Sequence, residues 1–327
     1  MLELIRKKRR SKNMKLNFET IKSLTVGAVR IWEESDGVHF AEMTEKQVKG
    51  FYEVSQTLGQ RAETTTGIRL DFETNSSFVA FTPLTDGKYE VKVDGLLTLD
   101  VVKKDEKYTI NLPKDNHEHR VTLHLPSHVI GGLANVEIED GAIAKRHAFD
   151  KKILFIGDSI TQGWNSVYDT MSYAYQTSEK LNAESIIQGT GGAMYNVNTF
   201  DKVEGFNPDI VIVAYGTNDS NHVNTLEELA KNCRDYLVEV KKAYSTSKIF
   251  VITPIYRITN DEIKPYGDVK LAGKQIQAVA ESLGLEVVDG QKMIPHFETF
   301  MADNVHPNAL GFSVYANNLT NVLKSKM

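Results

Sequence analysis

Apolar and polar residues alternate with period two along the first part of the chain. Segments 67–74, 77–82, 89–93, 121–125 and 134–139 carry the pattern with some irregularity. Such alternation sets one face of a strand on a core and the other in water, as in antiparallel sheets. Asp86-Gly87 and Asp94-Gly95 read as turns between strands. No long helical pattern interrupts the series, so a small antiparallel β-sandwich is predicted over residues 14–147.

The pattern changes after a charged stretch at 145–152, which reads as a linker. Short apolar runs at 153–157, 186–188, 209–215, 248–253 and 285–289 have the character of buried parallel strands. Helical spacing lies between them, in a stretch ending near Asn182, from Leu226 to Tyr244 and from Val269 to Leu283. A last helix follows Pro307. Strands alternating with helices predict an α/β/α domain with a parallel sheet over 148–327. The fold class expected is therefore α/β, with a smaller β-sandwich domain in front.

Composition changes this picture little. A net charge of -5 over 327 residues gives no support for nucleic-acid or membrane binding. No run of about 18 apolar residues is present, so no membrane span is expected. The single cysteine, Cys233, lies in a helical pattern and reads as a core residue rather than a catalytic thiol. Residues 1–13 are basic without the apolar stretch of a signal peptide. They read as a disordered tail, with Met14 a candidate start, and the expected location is cytoplasmic.

Ligands of an open parallel sheet bind beyond the carboxyl ends of its strands. Four segments fall there: Gly157-Asp-Ser-Ile-Thr161, Gln188-Gly-Thr-Gly-Gly192, Gly216-Thr-Asn-Asp219 and Asp303-Asn-Val-His-Pro307. Together they supply an acyl-transfer site. A serine hydroxyl needs a base to become nucleophilic, and Ser159 and His306 fit those roles. Asp303, three residues before His306, can orient the imidazole. An oxyanion needs preorganised donors. The Ser159 N–H, an N–H of the glycine-rich loop and the Asn218 amide are candidates. Asp158 and Asp219 read as loop braces.

These blocks closely resemble those of the SGNH (GDSL-like) hydrolase superfamily, over about residues 152–327. The resemblance implies Ser159 as nucleophile, Asp303 and His306 as the rest of a triad, and Asn218 as an oxyanion donor. It places Gly192 at the oxyanion position, with Gly191 as the alternative. No Gly-x-Ser-x-Gly elbow surrounds Ser159 and no phosphate-binding Gly-Lys-Ser/Thr ends the glycine loop. The order of sandwich then hydrolase is similar to carbohydrate esterase family 2 acetylesterases. That similarity implies hydrolysis of small acyl esters, with an acetylated saccharide as substrate and no cofactor or metal.

Trp164, Tyr195 and Tyr215 flank the blocks and are candidates to stack on a sugar ring. His117, His119, His124 and His128 invite a metal-site reading, but no convincing further ligands accompany them. Two rival functions use the same residues differently: an acyl thioesterase or lysophospholipase with the same triad, and a carbohydrate-binding protein without catalysis. Homo-oligomerisation is left open.

Overall fold

A computed structural model describes residues 13–115 and 117–327. Apart from Asn13, the expected basic tail lies outside the described residues; Asn13 itself opens a strand, Asn13–Lys15.

Two six-stranded antiparallel sheets form the N-terminal part. One runs Arg30–Glu33, Val38–Ala41, Gly132–Glu139, Phe78–Pro83, Tyr108–Asn111, with Asn13–Lys15 joining Gly132–Glu139. The other runs Lys145–Arg146, Arg69–Thr74, His119–His124, Val91–Val93, Leu96–Leu99, with Thr25–Val26 joining Arg69–Thr74. Asp94 and Gly95, both at positive φ (49° and 82°), turn Val91–Val93 into Leu96–Leu99, as their sequence predicts. Leu70, Phe72, Val79, Phe81, Val121 and Leu123 fill the core between the sheets.

The alternation in Arg69–Thr74 has a second meaning. Leu70 and Phe72 face the sandwich core, but Arg69 and Asp71 on the opposite face are also fully buried. The C-terminal part covers that face. Arg120 bridges Asp71 of the sheet and Glu179 of the helix Tyr173–Lys180. The face expected to be wet is a domain interface.

Helices also interrupt the strands, contrary to the sequence reading. Phe18–Leu24, Glu45–Val54 and Gln56–Ala62 are helical. Thr44 and Gln47 form a capping box at the start of Glu45–Val54, and Ser55 caps the next helix. Phe51, Leu58 and Ala62 pack into the C-terminal core beside Tyr195 and Phe200. Two helices from the first part of the sequence thus belong spatially to the second.

The C-terminal part is a five-stranded parallel sheet in the order Ala183–Gly189, Lys151–Gly157, Ile210–Ala214, Lys248–Ile252, Glu286–Val288. Helices Leu226–Ala243 and Val269–Ser282 cover one face. Tyr173–Lys180 and Ala309–Lys326 cover the other. All five expected strands are present. Cys233 is a fully buried core residue whose thiol burial pushes up to about 12. Among the described residues no helix is long and apolar enough to cross a membrane.

Candidate active site

The register of the sheet assembles the site. Gly157 lies opposite Gly189 on one side and Ala214 on the other. Three strands therefore end level, and their following loops meet at one point. Ser159 opens a one-turn helix, Ser159–Gln162, capped by Asp158, whose Oδ1 accepts the Ile160 N–H at 2.9 Å.

Ser159 Oγ lies 2.8 Å from His306 Nε2. His306 Nδ1 lies 2.8 Å from Asp303 Oδ2. An ionised carboxylate only accepts, so Nδ1 carries the imidazole proton and Nε2 accepts from the Ser159 hydroxyl. Asp303 Oδ1 accepts the N–H groups of Val305 (2.8 Å) and His306 (2.7 Å). Burial alone would raise the Asp303 carboxyl. Those N–H groups and the His306 ring outweigh it and hold the group below the ordinary carboxylate range. The loop is closed by the Ala302 N–H donating to His306 O at 2.8 Å.

The oxyanion candidates separate on geometry. The Gly191 N–H is already donated to Gln162 Oε1 at 2.9 Å. A Cβ on Gly191 would meet the Trp164 ring at 2.9 Å, so this glycine is a packing surface for the indole. Gly192 sits at φ +90°, and neither its N–H nor that of Ser159 has a hydrogen-bond partner among the described residues. Asn218 Nδ2 donates to Ala193 O at 3.0 Å and faces Asp158 Oδ2 at 3.5 Å. One amide therefore ties the third loop to the second.

Trp164 stands at the site, its ring stacked 5.9 Å from that of His306 at 26°. Tyr195 and Tyr215 do not. They are 1% and 3% exposed and pack edge-on against each other and Tyr236 in the core. The structure removes both from the candidate sugar-stacking surface. Their bulk fills the space beneath the loops, where apolar burial outweighs any use of the hydroxyls. The four histidines do not form one cluster. His119 bonds Asp94 and Asp115, His124 is buried against Tyr175, and His128 packs edge-on to Trp164.

Three residues at the site were not singled out from sequence. Asn165, at φ +65°, donates Nδ2 to Asp303 Oδ2 at 2.6 Å. Gln162 is 2% exposed. Its Oε1 accepts from both Gly191 N–H and Trp164 Nε1, and its Nε2 donates to Ser127 O at 2.8 Å. Arg61, from the helix Gln56–Ala62, donates Nη1 to Gly191 O at 2.8 Å. Gln162 directly follows the Gly157–Thr161 block and was within reach of a sequence reading. Arg61 lies about a hundred residues away and carried no local signal.

Asp158 and Asp219 brace the loops, as expected. Asp219 Oδ1 accepts the Tyr195 N–H at 3.1 Å. Burial, and for Asp158 also the Asp219 charge, raises each carboxyl to about 7.

Residues 155–314 match the model of the GDSL-like lipase/acylhydrolase family. No curated protein matches the chain in sequence. Among solved structures, the chain is similar to a salicylyl-acyltransferase from a tetracycline biosynthetic pathway, with 17% identity, 97% of this chain and 98% of that one covered, and a TM-score of 0.81. An acetyl xylan esterase from the rumen bacterium Butyrivibrio proteoclasticus is 15% identical over 96% of this chain and 98% of its own, with a TM-score of 0.66. A family two carbohydrate esterase from Clostridium thermocellum, solved with cellohexaose, is 17% identical over 80% and 93%, with a TM-score of 0.64. Those likenesses establish the two-part fold. The family match covers the parallel-sheet domain, which is a GDSL-like lipase/acylhydrolase domain of the kind that acts on carboxylic esters.

Proposed function

We propose that the protein hydrolyses small acyl esters, acetyl esters of saccharides in particular, through an acyl-enzyme on Ser159. The observation that carries this reading is the hydrogen-bonded chain Ser159–His306–Asp303 beside two unpartnered N–H groups. Ser159 Oγ attacks the ester carbonyl and passes its proton to His306 Nε2. The charged imidazole is stabilised by Asp303, whose Oδ2 also accepts from Asn165 Nδ2. The N–H groups of Ser159 and Gly192 receive the oxyanion, and the Asn218 amide joins them by exchanging its long bond to Asp158 Oδ2 for one to the oxyanion. His306 then protonates the leaving alcohol. Water, activated by the same imidazole, releases the acid. No metal or organic cofactor enters these steps. The saccharide assignment draws support from the esterases of similar fold and from Trp164, an indole face beside His306.

A second reading follows from the full-length likeness to the salicylyl-acyltransferase. In it the same acyl-enzyme passes its acyl group to an alcohol rather than to water.

Acetate release from acetylated sugars and from esters of increasing chain length tests the proposal, with Ser159→Ala as control. We expect sugar acetates to be preferred and the variant to lose at least about 10³-fold in kcat. Undiminished turnover by the variant would remove Ser159 from the mechanism. A preference for long acyl chains would favour the thioesterase or lysophospholipase alternative. Ester product formed in the presence of an acceptor alcohol, at the expense of free acid, would favour transfer. Sugar binding without turnover of any ester would leave the non-catalytic reading.

A further inference from the structure

Arg61 is a half-buried guanidinium without an acidic partner. Its Nη1 donates to Gly191 O at 2.8 Å. Among the described residues no carboxylate lies within 4.0 Å of it, and no other hydrogen bond leaves its side chain. Its Cζ sits 4.9 Å from the centroid of Trp164, the indole stacked beside His306. A Cβ placed on Gly192 would lie 3.2 Å from Nη1. The charge therefore borders both the glycine loop and the aromatic wall of the site.

A role as a loop brace uses one of five donors. The rest of the guanidinium presents a planar fork suited to a carboxylate. Arg69 and Arg120, by contrast, are paired with Asp71 at the domain interface.

We infer that Arg61 is a specificity-determining residue that selects esters bearing a carboxylate close to the scissile bond. This inference rests on the esterase reading above. The carboxylate can sit on the alcohol side, as in an acidic sugar, or on the acyl side, as in a dicarboxylic half-ester. In either position it takes the free face of the guanidinium while the carbonyl lies against Ser159 and Gly192. Arg61 takes no part in proton transfer. The N-terminal part of the chain thus contributes a substrate contact to a site whose chemistry belongs wholly to the C-terminal domain.

Two substrate pairs test it: acetylated glucuronate against acetylated glucose, and a succinyl half-ester against the butyryl ester of the same alcohol. We expect at least one acidic member to exceed its neutral partner by about tenfold in kcat/KM, chiefly through KM. That ratio should shrink as salt rises from about 0.05 to 0.5 M. It should approach one in Arg61→Gln and survive in part in Arg61→Lys, which keeps the charge but not the fork. Equal or poorer use of the acidic member in both pairs, or an unchanged ratio in Arg61→Gln, would overturn the inference. Binding reads the same preference without turnover. Calorimetry of glucuronate and succinate, each against its neutral counterpart, is run on Ser159→Ala with and without Arg61→Gln. No turnover of any of the four esters by the wild-type protein, with an arginine-dependent anion preference in binding, would sink the esterase reading while upholding Arg61 as the carboxylate contact. Absence of any such preference would sink this one alone.

Discussion

At the scale of single residues, the site is a set of polar groups held by other polar groups. Asp303 accepts four hydrogen bonds, from the N–H groups of Val305 and His306, the His306 ring and Asn165. Its charged form is therefore favoured in the fold. Asp158 and Asp219 are the opposite case: burial raises both to about 7. For a carboxyl raised above its unfolded value of about 4, the folded state holds more protons than the unfolded state between about pH 4 and 7. Its contribution to stability is thus lost as pH rises through that window. The buried His124 and His128 are pushed down and act with the reverse sign, so the whole-protein curve mixes both. A difference measurement separates the carboxyls from the histidines, removing Asp219 and with it the charge that helps raise Asp158. Asp219→Asn keeps an oxygen to accept the Tyr195 N–H and removes the titrating group. Relative to the wild type, it should gain at least about 1 kcal/mol between pH 4.5 and 8, measured by urea unfolding at each pH. A difference that is constant with pH would mean that Asp219 is ionised throughout.

At the scale of elements, the decisive features are short. The helix Ser159–Gln162 is a single turn, yet it sets the serine and, through Gln162, the glycine loop and Trp164. The helix Glu45–Val54 reaches across from the first part of the chain. Its capping box joins Thr44 and Gln47, Thr44 Oγ1 also donates to Asp201, and Gln47 pairs with Gln188. Thr44→Ala removes the cap and the contact with Asp201 together. It should cost about 1–2 kcal/mol in thermal or chemical unfolding, while Thr44→Ser should retain most of the stability. Loss confined to a few tenths of a kcal/mol in Thr44→Ala would show that tertiary packing alone holds the helix. The Ser/Thr-x-x-Glu/Gln signature was legible at Thr44-Glu-Lys-Gln47. Its helix is short, and it precedes the alternation that begins at residue 67 and gave the whole region its reading as a sandwich.

At the scale of the whole molecule, the two parts meet through buried charge. Arg69 and Asp71 are fully buried and paired at 3.0 Å, and Arg120 bonds the same carboxylate at 2.8 Å. The Arg69 guanidinium lies between the rings of Phe149 and Tyr175, 5.7 and 5.4 Å from their centroids. Asp71→Asn leaves Arg69 buried without a counter-charge and should cost about 3–5 kcal/mol. Urea unfolding followed by fluorescence would register this as a lowered midpoint. A cost below about 0.5 kcal/mol would show that water reaches the network and that the interface is looser than the packing implies.

The five parallel strands, their helices and the four loops at one sheet edge follow from local pattern, because buried strands need continuous apolar runs and the chemistry sits at their ends. Ser159, Asn218, Asp303 and His306 were legible for the same reason: each lies in a short block whose residue types match one reaction. Periodicity also found the sandwich strands, since alternation is written into neighbouring residues. It could not tell which solvent would meet the second face. In Arg69–Thr74 that solvent is another domain, so Arg69 and Asp71 look like surface charges in sequence and are buried in the fold. Tyr195 and Tyr215 show the converse. They flank the glycine blocks in sequence, but their side chains leave on the core side of the loops. Gly191 and Gly192 are alike as letters, and only hydrogen bonding separates the one whose N–H is spent on Gln162 from the one whose N–H is free. Arg61 joins the site from a helix in the other part of the chain. Contacts between residues far apart in sequence leave no local period or spacing, so the residues of the candidate site were legible in local sequence, while the walls around it were decided by tertiary packing.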